Sequence, residues 1–208
     1  VEMLFDCINS FYQHCNSDLF DVFIADTGST TEEKEWIKTN IQNIGNVKLI
    51  EYDYYNFAKI NNDVVKNHIG DEYEFLLFCN NDIELLNDVI YGMLKTFKIK
   101  NKVGTVGARL HYLNNTVQHD GISIMMKQSS KTIITDHLTK ETYYKFLIDT
   151  QDVCGNSAAL MMIRKKMFNS LGGFNEIFTH CHEDTYLNLE ILKNGYFNYC
   201  CGECVAYH

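Results

Sequence analysis

The sequence predicts an α/β fold, a mostly parallel central sheet flanked by helices. Three observations point to it. Short apolar runs bounded by polar residues, such as Asp21–Ala25, Val47–Ile50 and Phe75–Cys79, read as buried strands. They alternate with stretches whose apolar residues recur at helical spacing, so the order opens α, β, α, β. A length of 208 residues, 46% hydrophobic and 22% charged, fits one globular domain over 1–208 with room for a substantial core.

The first element is an amphipathic helix, because Leu4, Ile8, Phe11 and Cys15 fall on one helical face. A buried strand, Asp21–Ala25, leads into the turn Asp26-Thr27-Gly28-Ser29-Thr30-Thr31. There Gly28 permits a tight turn, and Thr30 with Glu33 forms a capping-box pattern. That pattern accounts for the Ser and Thr but leaves Asp26 as an acid at the carboxyl end of a strand, where α/β sheets bind ligands. Trp36, Ile37, Ile41 and Ile44 carry the second helix, Gly45-Asn46 turns the chain, and Val47–Ile50 is the next strand. Asn56–Asp63 opens a third helix with Ile60, Val64 and His68 on one side and Gly70 past its end.

The strand Phe75–Cys79 ends in Asn80-Asn81-Asp82, the most informative triplet of the chain. Asn and Asp suit a strand-to-loop turn, yet a carboxylate at this place is also where a metal-bound phosphate is held. Val89, Met93, Leu94 and Phe97 continue a helix, and Val103–Leu110 returns as a strand. Leu113–Val117 has hairpin character, with Asn114-Asn115 supplying the turn. Residues 127–150 are polar and irregular, and a loop over the site is expected there. A strand over Val153–Arg164 follows, then Leu171–Glu176, then a helix opened by His182-Glu183-Asp184 and closed at Gly195, with Leu187, Ile191 and Leu192 on its apolar side. Two acids at a helix start favour its dipole whatever else they do. Strand-like stretches at Tyr199–Cys201 and Cys204–His208 end the chain.

A net charge of -9 argues against a nucleic-acid groove or an anionic membrane surface as partner, since either calls for clustered Lys and Arg. It also means that an anionic ligand must be offset locally, and a divalent cation is the largest charge available for that. No signal peptide and no apolar run of membrane-spanning length is seen, and the 8 cysteines read as reduced apolar fillers, so a cytoplasmic setting is expected. Cys200, Cys201 and Cys204 lack the paired spacing of a zinc knuckle, which argues against zinc.

Five motifs taken in order resemble one family: Asp26 with Gly28-Ser29, Asn81-Asp82, Gly172-Gly173-Phe174, Glu183-Asp184 and His208. They are similar to the family 2 type inverting glycosyltransferases of the GT-A fold, and Gln118-His119-Asp120-Gly121 resembles a stretch of a bacterial, rhamnosyltransferase-like subgroup. The resemblance covers nearly the whole chain. It departs at Asn80 and Asn175, which stand where the family has acids, and at the start, where the family's first strand has no counterpart. A fragment of a longer protein is therefore expected.

The resemblance implies a hexosyltransferase moving a sugar from a nucleotide-diphosphate donor, UDP- or dTDP-linked, to a hydroxyl of a glycan, lipid-linked or protein acceptor with inversion, as in polysaccharide biosynthesis. It implies Asp82 and His208 as ligands of a divalent cation, Mn2+ favoured over Mg2+ because imidazole suits manganese better. It implies nucleotide contacts from Asp26, Gly28, Asn62 and Asn81, with Lys59 facing a phosphate, although a solvated helix face explains Asn62 and Lys59 equally well. Gly155 and Gly173 are expected beside the donor or acceptor sugar, where small residues let a sugar approach the backbone. Inversion needs a base opposite the leaving group; Asp184 is assigned to it, with Glu183 as an acceptor contact or the alternative base. His119 is assigned no chemistry. The competing readings are a nucleotidyltransferase, against which stands the lack of a Gly-rich triphosphate loop with a following Lys or Arg, and a degenerate nucleotide- or glycan-binding module.

Overall fold

The computed structural model describes residues 1–127, 132–137, 149–179 and 181–208. The strands are β1 (Val22–Asp26), β2 (Val47–Glu51), β3 (Phe75–Cys79), β4 (Glu84–Leu85), β5 (Val103–His111), β6 (Val117–His119), β7 (Ile122–Lys127), β8 (Thr132–His137), β9 (Gln151–Val153), β10 (Leu160–Arg164) and β11 (Phe197–Tyr207). The helices are α1 (Glu2–His14), α2 (Thr31–Ile41), α3 (Phe57–Asn67), α4 (Val89–Ile99), α5 (Lys165–Ser170) and α6 (Glu183–Lys193).

The helices start where their caps allow. Thr30 and Glu33 form the reciprocal capping box of α2, Asn56 accepts the Lys59 N–H at the start of α3, and Asp88 accepts that of Tyr91 at the start of α4. Gly195, at a positive φ of 77°, follows the end of α6. Trp36 faces outward at 45% exposure, its ring edge-on to Phe5 4.7 Å away, so it borders the core instead of filling it.

The layered α/β architecture stands, and the central sheet is mixed where the alternation of elements predicted mostly parallel. Its order is β3-β10-β5-β11-β4. β10 runs antiparallel to both β3 and β5, which therefore point the same way, and β5 and β11 are parallel. The reason is that β10 arrives late in the chain and inserts between two strands already related by α4, which the order of elements cannot reveal. The stretch 153–164 is likewise not one strand: it leaves β9 at Val153, runs irregularly through Cys154–Ala159, and becomes β10 at Leu160. The final two strand-like stretches are one strand, β11, with an irregular register between Cys201 and Val205. The expected hairpin joins β5 and β6, with Asn115 at φ 65° and the Asn114 side chain accepting the Thr116 N–H.

Of the stretch 127–150, β8 pairs antiparallel with β7, which ends at Lys127; the rest of the loop expected over the site, apart from 149 and 150, lies outside the described residues. Two main apolar clusters sandwich the sheet. One gathers Phe11, Val89, Met93, Val106, Leu110 and Met162, the other Val65, Phe78, Phe168, Phe174, Leu187 and Ile191.

β1 and β2 form their own parallel pair, not hydrogen-bonded to the larger sheet. Between β1 and β3 lies a slot of about 950 Å3, walled along its length by Leu4, Ile8, Ile24 and Leu76. At its floor the Tyr73 hydroxyl donates to the Asp21 carboxylate, and the Tyr73 ring packs edge-on to Phe23. Asp26, Gly28, Ser29, Asn80 and Asn81 also line the slot.

Candidate active site

Asp26 closes β1 and is buried. Its Oδ1 accepts the Ser29 N–H at 3.3 Å and the Ser29 hydroxyl, while Oδ2 has only the Lys34 ammonium, 3.7 Å away and shared with Glu51. The turn therefore holds the carboxylate through one oxygen and leaves the other buried without a hydrogen-bond donor, facing only the Lys34 ammonium. At Gly28 a Cβ would meet nothing within 4 Å, so packing does not require the glycine there.

Beyond β3, the first and last residues of the Asn80–Asp82 turn meet at one partner, His208. Asn80 Nδ2 lies 3.2 Å from Nε2 of His208, and Asp82 Oδ1 lies 3.3 Å from the same nitrogen. His208 follows β11, which is parallel to β5, and its backbone N–H donates to the His111 carbonyl at 2.9 Å. Its ring meets Gln118 Oε1 through Nδ1 at 2.7 Å. Residues 82 and 208, far apart in sequence, thus form one pair at the carboxyl ends of the strands. A carboxylate oxygen and an imidazole nitrogen at this separation, with an amide beside them, suit one hard divalent cation whose other ligands are phosphate and water oxygens. Among the described residues no group of three or more His, Cys, Asp or Glu gathers, so within that set the pair would supply two ligands of such an ion.

α6 brings the acidic pair. It starts at His182, whose φ of 75° is the left-handed region that few non-glycine residues adopt. Asp184 Oδ2 accepts the Ala158 N–H at 3.0 Å, and Oδ1 accepts the Thr185 N–H at 2.6 Å. Glu183 is buried, its Oε2 has no hydrogen-bond partner, and burial, with the neighbouring Asp184 charge, pushes its carboxyl above the ordinary range. An all-but-dry network anchors this helix. Asn188 Nδ2 donates to the carbonyls of Asp184 and Asn156, its Oδ1 accepts the Thr105 hydroxyl at 2.7 Å, and Asn156 and Asn198 complete the set. These three asparagines are the residues that the sequence reading missed, and their only signal was polar character inside otherwise apolar runs.

Other expected contacts are already used elsewhere. Asn62 clamps the turn after α5: its Oδ1 accepts the Phe174 N–H and its Nδ2 donates to the Phe174 carbonyl, both at 2.8 Å, and to Glu176 at 3.0 Å. A nucleotide would have to displace that clamp; the neighbouring Asn61 is the one that lines the slot. Gly173 belongs to the same clamp, since a Cβ there would lie 2.4 Å from Asn62 Oδ1. Lys59 is exposed and sits 4.7 Å over the Tyr54 ring, the solvated face of α3. Gly155 is small for packing: a Cβ would lie 2.8 Å from Asn188 Cβ, and its carbonyl accepts the Ile122 N–H. Cys201 and Cys204 touch at 3.0 Å between their sulfurs in the core, as a buried thiol pair. Among the described residues, no helix is long and apolar enough to cross a membrane.

The family described as Glycosyltransferase like family 2 matches residues 4–199. The O-antigen biosynthesis protein RfbC of Myxococcus xanthus is 28% identical over 206 residues, covering 93% of this chain and 15% of that protein. The uncharacterized protein y4gI of Sinorhizobium fredii is 25% identical over 186 residues, covering 86% of this chain. The chain spans only 15% and 20% of the length of these two relatives. Among solved structures, GalNAc-T7 with UDP, GalNAc and Mn2+ superposes with a TM-score of 0.78 at 14% identity, over 99% of this chain and 41% of that one. The mannosyltransferase PcManGT of Pyrobaculum calidifontis, in complex with GDP-Man and Mn2+, gives 0.65 at 13% identity, over 100% of this chain and 53% of that one. Both similarities concern the fold, which is GT-A.

Proposed function

We propose, from the premise that this chain belongs to the Glycosyltransferase like family 2 and is a glycosyltransferase, that it transfers a sugar from a nucleotide-diphosphate donor with inversion and with the help of a divalent cation. The observation that carries the reading is the Asp82–His208 pair, 3.3 Å apart. Bound between them, Mn2+ or Mg2+ would neutralise charge that develops on the leaving diphosphate. The presence of Mn2+ with a nucleotide or nucleotide-sugar in both structural neighbours supports that role.

The chain's own residues divide the remaining work. Asp26, held by Ser29 through Oδ1, has a second oxygen without a hydrogen-bond donor, which would accept an N–H of the base once the turn admits it. Asn81 lines the same slot and suits the ribose or phosphate. Asp184 takes the proton of the acceptor hydroxyl, and its hydrogen bond to Ala158 holds it in place for that step. Glu183 is the second reading for the base, favoured by its raised pKa and unpartnered oxygen. The name of the Myxococcus xanthus relative supports a polysaccharide acceptor, and UDP or dTDP remains the preferred donor nucleotide.

Calorimetric titration of UDP, dTDP and GDP, each with and without Mn2+, into this protein and into Asp82→Ala tests the reading. Metal-dependent binding of one nucleotide that Asp82→Ala abolishes is the expected result. Metal-independent binding, or binding indifferent to the substitution, overturns it.

A further inference from the structure

The Gln118-His119 stretch has no part in the chemistry above, yet Gln118 holds one of the two proposed metal ligands from behind. It sits in β6, which pairs with the end of β5 through Leu110↔His119 and His111↔Val117, and β5 in turn pairs with the end of β11 through His111↔Tyr207. From there the Gln118 amide makes two contacts with His208. Its Nε2 donates to the His208 main-chain oxygen at 3.1 Å, and its Oε1 faces His208 Nδ1 at 2.7 Å.

We propose that Gln118 is a positioning residue that sets the tautomer of His208, so that Nε2 turns a bare lone pair toward the cation beside Asp82. The proposal rests on the reading of Asp82 and His208 as the metal pair. The argument is one of donors and acceptors. A main-chain oxygen only accepts, so it fixes the nitrogen end of the amide against itself. The oxygen end is then left facing Nδ1, and because an amide oxygen only accepts, Nδ1 must carry the proton. In a neutral imidazole the other nitrogen is then an acceptor. That nitrogen, Nε2, lies 3.3 Å from Asp82 Oδ1 and 3.2 Å from Asn80 Nδ2. Asn80 can donate to it, but two acceptors facing each other at this distance repel unless a cation stands between them. The same amide thus fixes the ring's rotation and its proton, the arrangement by which metal-bound histidines are commonly oriented. Asn80, standing where the family has an acid, is a neutral donor to that lone pair only while no cation is bound, and a cation would take its place.

The test reads the proton directly. Long-range 1H–15N correlation spectra of the metal-free, 15N-labelled protein, taken above the ordinary imidazole range, report which His208 nitrogen is bare. The expected result is Nδ1–H with a bare Nε2 in the unsubstituted protein, and appearance of the Nε2–H form in Gln118→Leu. Mn2+ titrations followed by electron paramagnetic resonance should show Gln118→Leu binding about ten- to a hundredfold more weakly. Gln118→Glu keeps an acceptor at Nδ1 and should retain the Nδ1–H form. An Nε2–H ring in the unsubstituted protein, a measurement that requires no variant to fold, overturns the proposal alone. So does unweakened Mn2+ binding by Gln118→Leu. Mn2+ binding that survives Asp82→Ala overturns the metal reading, and the proposal with it.

Discussion

Asp184 accepts the Ala158 N–H through Oδ2 at 3.0 Å, which ties the first turn of α6 to the irregular segment ahead of β10. The side chain proposed to take a proton is therefore also a structural clasp, and the two roles respond differently to substitution. Asp184→Asn keeps an oxygen that can accept from Ala158 but removes the basicity. We expect kcat to fall about 10^2- to 10^4-fold while nucleotide binding by calorimetry is unchanged. A full kcat in Asp184→Asn would move the base to Glu183.

Glu183 makes the stability of the fold depend on pH. Unfolded, its carboxyl titrates near about 4.3; folded, burial raises it. Between the two values the folded state retains a proton that the unfolded state has released, so stability is fully present below the window and falls as pH rises through it. The loss amounts to about 1.4 kcal/mol for each unit separating the two values. Urea unfolding across the weakly acidic range should show that slope in the unsubstituted protein and a flatter one in Glu183→Gln. Parallel curves would mean that the carboxyl titrates normally.

Asn188 is expected to matter more than its place on an otherwise ordinary helix suggests. Asn188→Ala strips a partner from the Asp184 and Asn156 carbonyls and from the Thr105 hydroxyl, all inside the protein. We expect a loss of about 2–4 kcal/mol in denaturant unfolding, since a buried polar group without a partner costs about 1–3 kcal/mol. Turnover should fall too, because the start of α6 is no longer pinned. A change within experimental scatter would show that water replaces the amide freely.

Gly173 and Asn62 should behave as one unit. Gly173→Ala places a methyl 2.4 Å from Asn62 Oδ1 at a φ of 77°, and about 2 kcal/mol or more of stability should be lost. In a double-mutant cycle, Asn62→Ala should recover part of that loss, because it removes the atom that clashes. Strict additivity would argue that the clamp is not shared.

Much of the architecture was legible because each signal was local. The apolar runs of β1, β2 and β3, the Thr30–Glu33 box and the helical spacing of α1, α3 and α4 depend on neighbours a few residues away. Asp26 and Asp82 were legible as candidates for a similar reason, as acids that end a strand or follow one closely. The fates of Asn62 and Gly155 were not, because an amide or a missing Cβ takes its meaning from whatever packs against it, here Phe174 and Asn188. The direction of β10 was hidden in the same way, since strand pairing joins segments whose separation in sequence carries no trace of order.

By itself, then, the sequence determined the class of fold, the positions of its strand ends and the acids available there, since periodicity, capping and turn chemistry act over a single turn or strand. Only the tertiary structure decided which of those groups meet. It joined Asp82 to His208, set Gln118 behind the ring and clasped Asp184 to Ala158. Each of these contacts links strands or helices far apart in sequence, and their distances are set by the packing of the whole sheet.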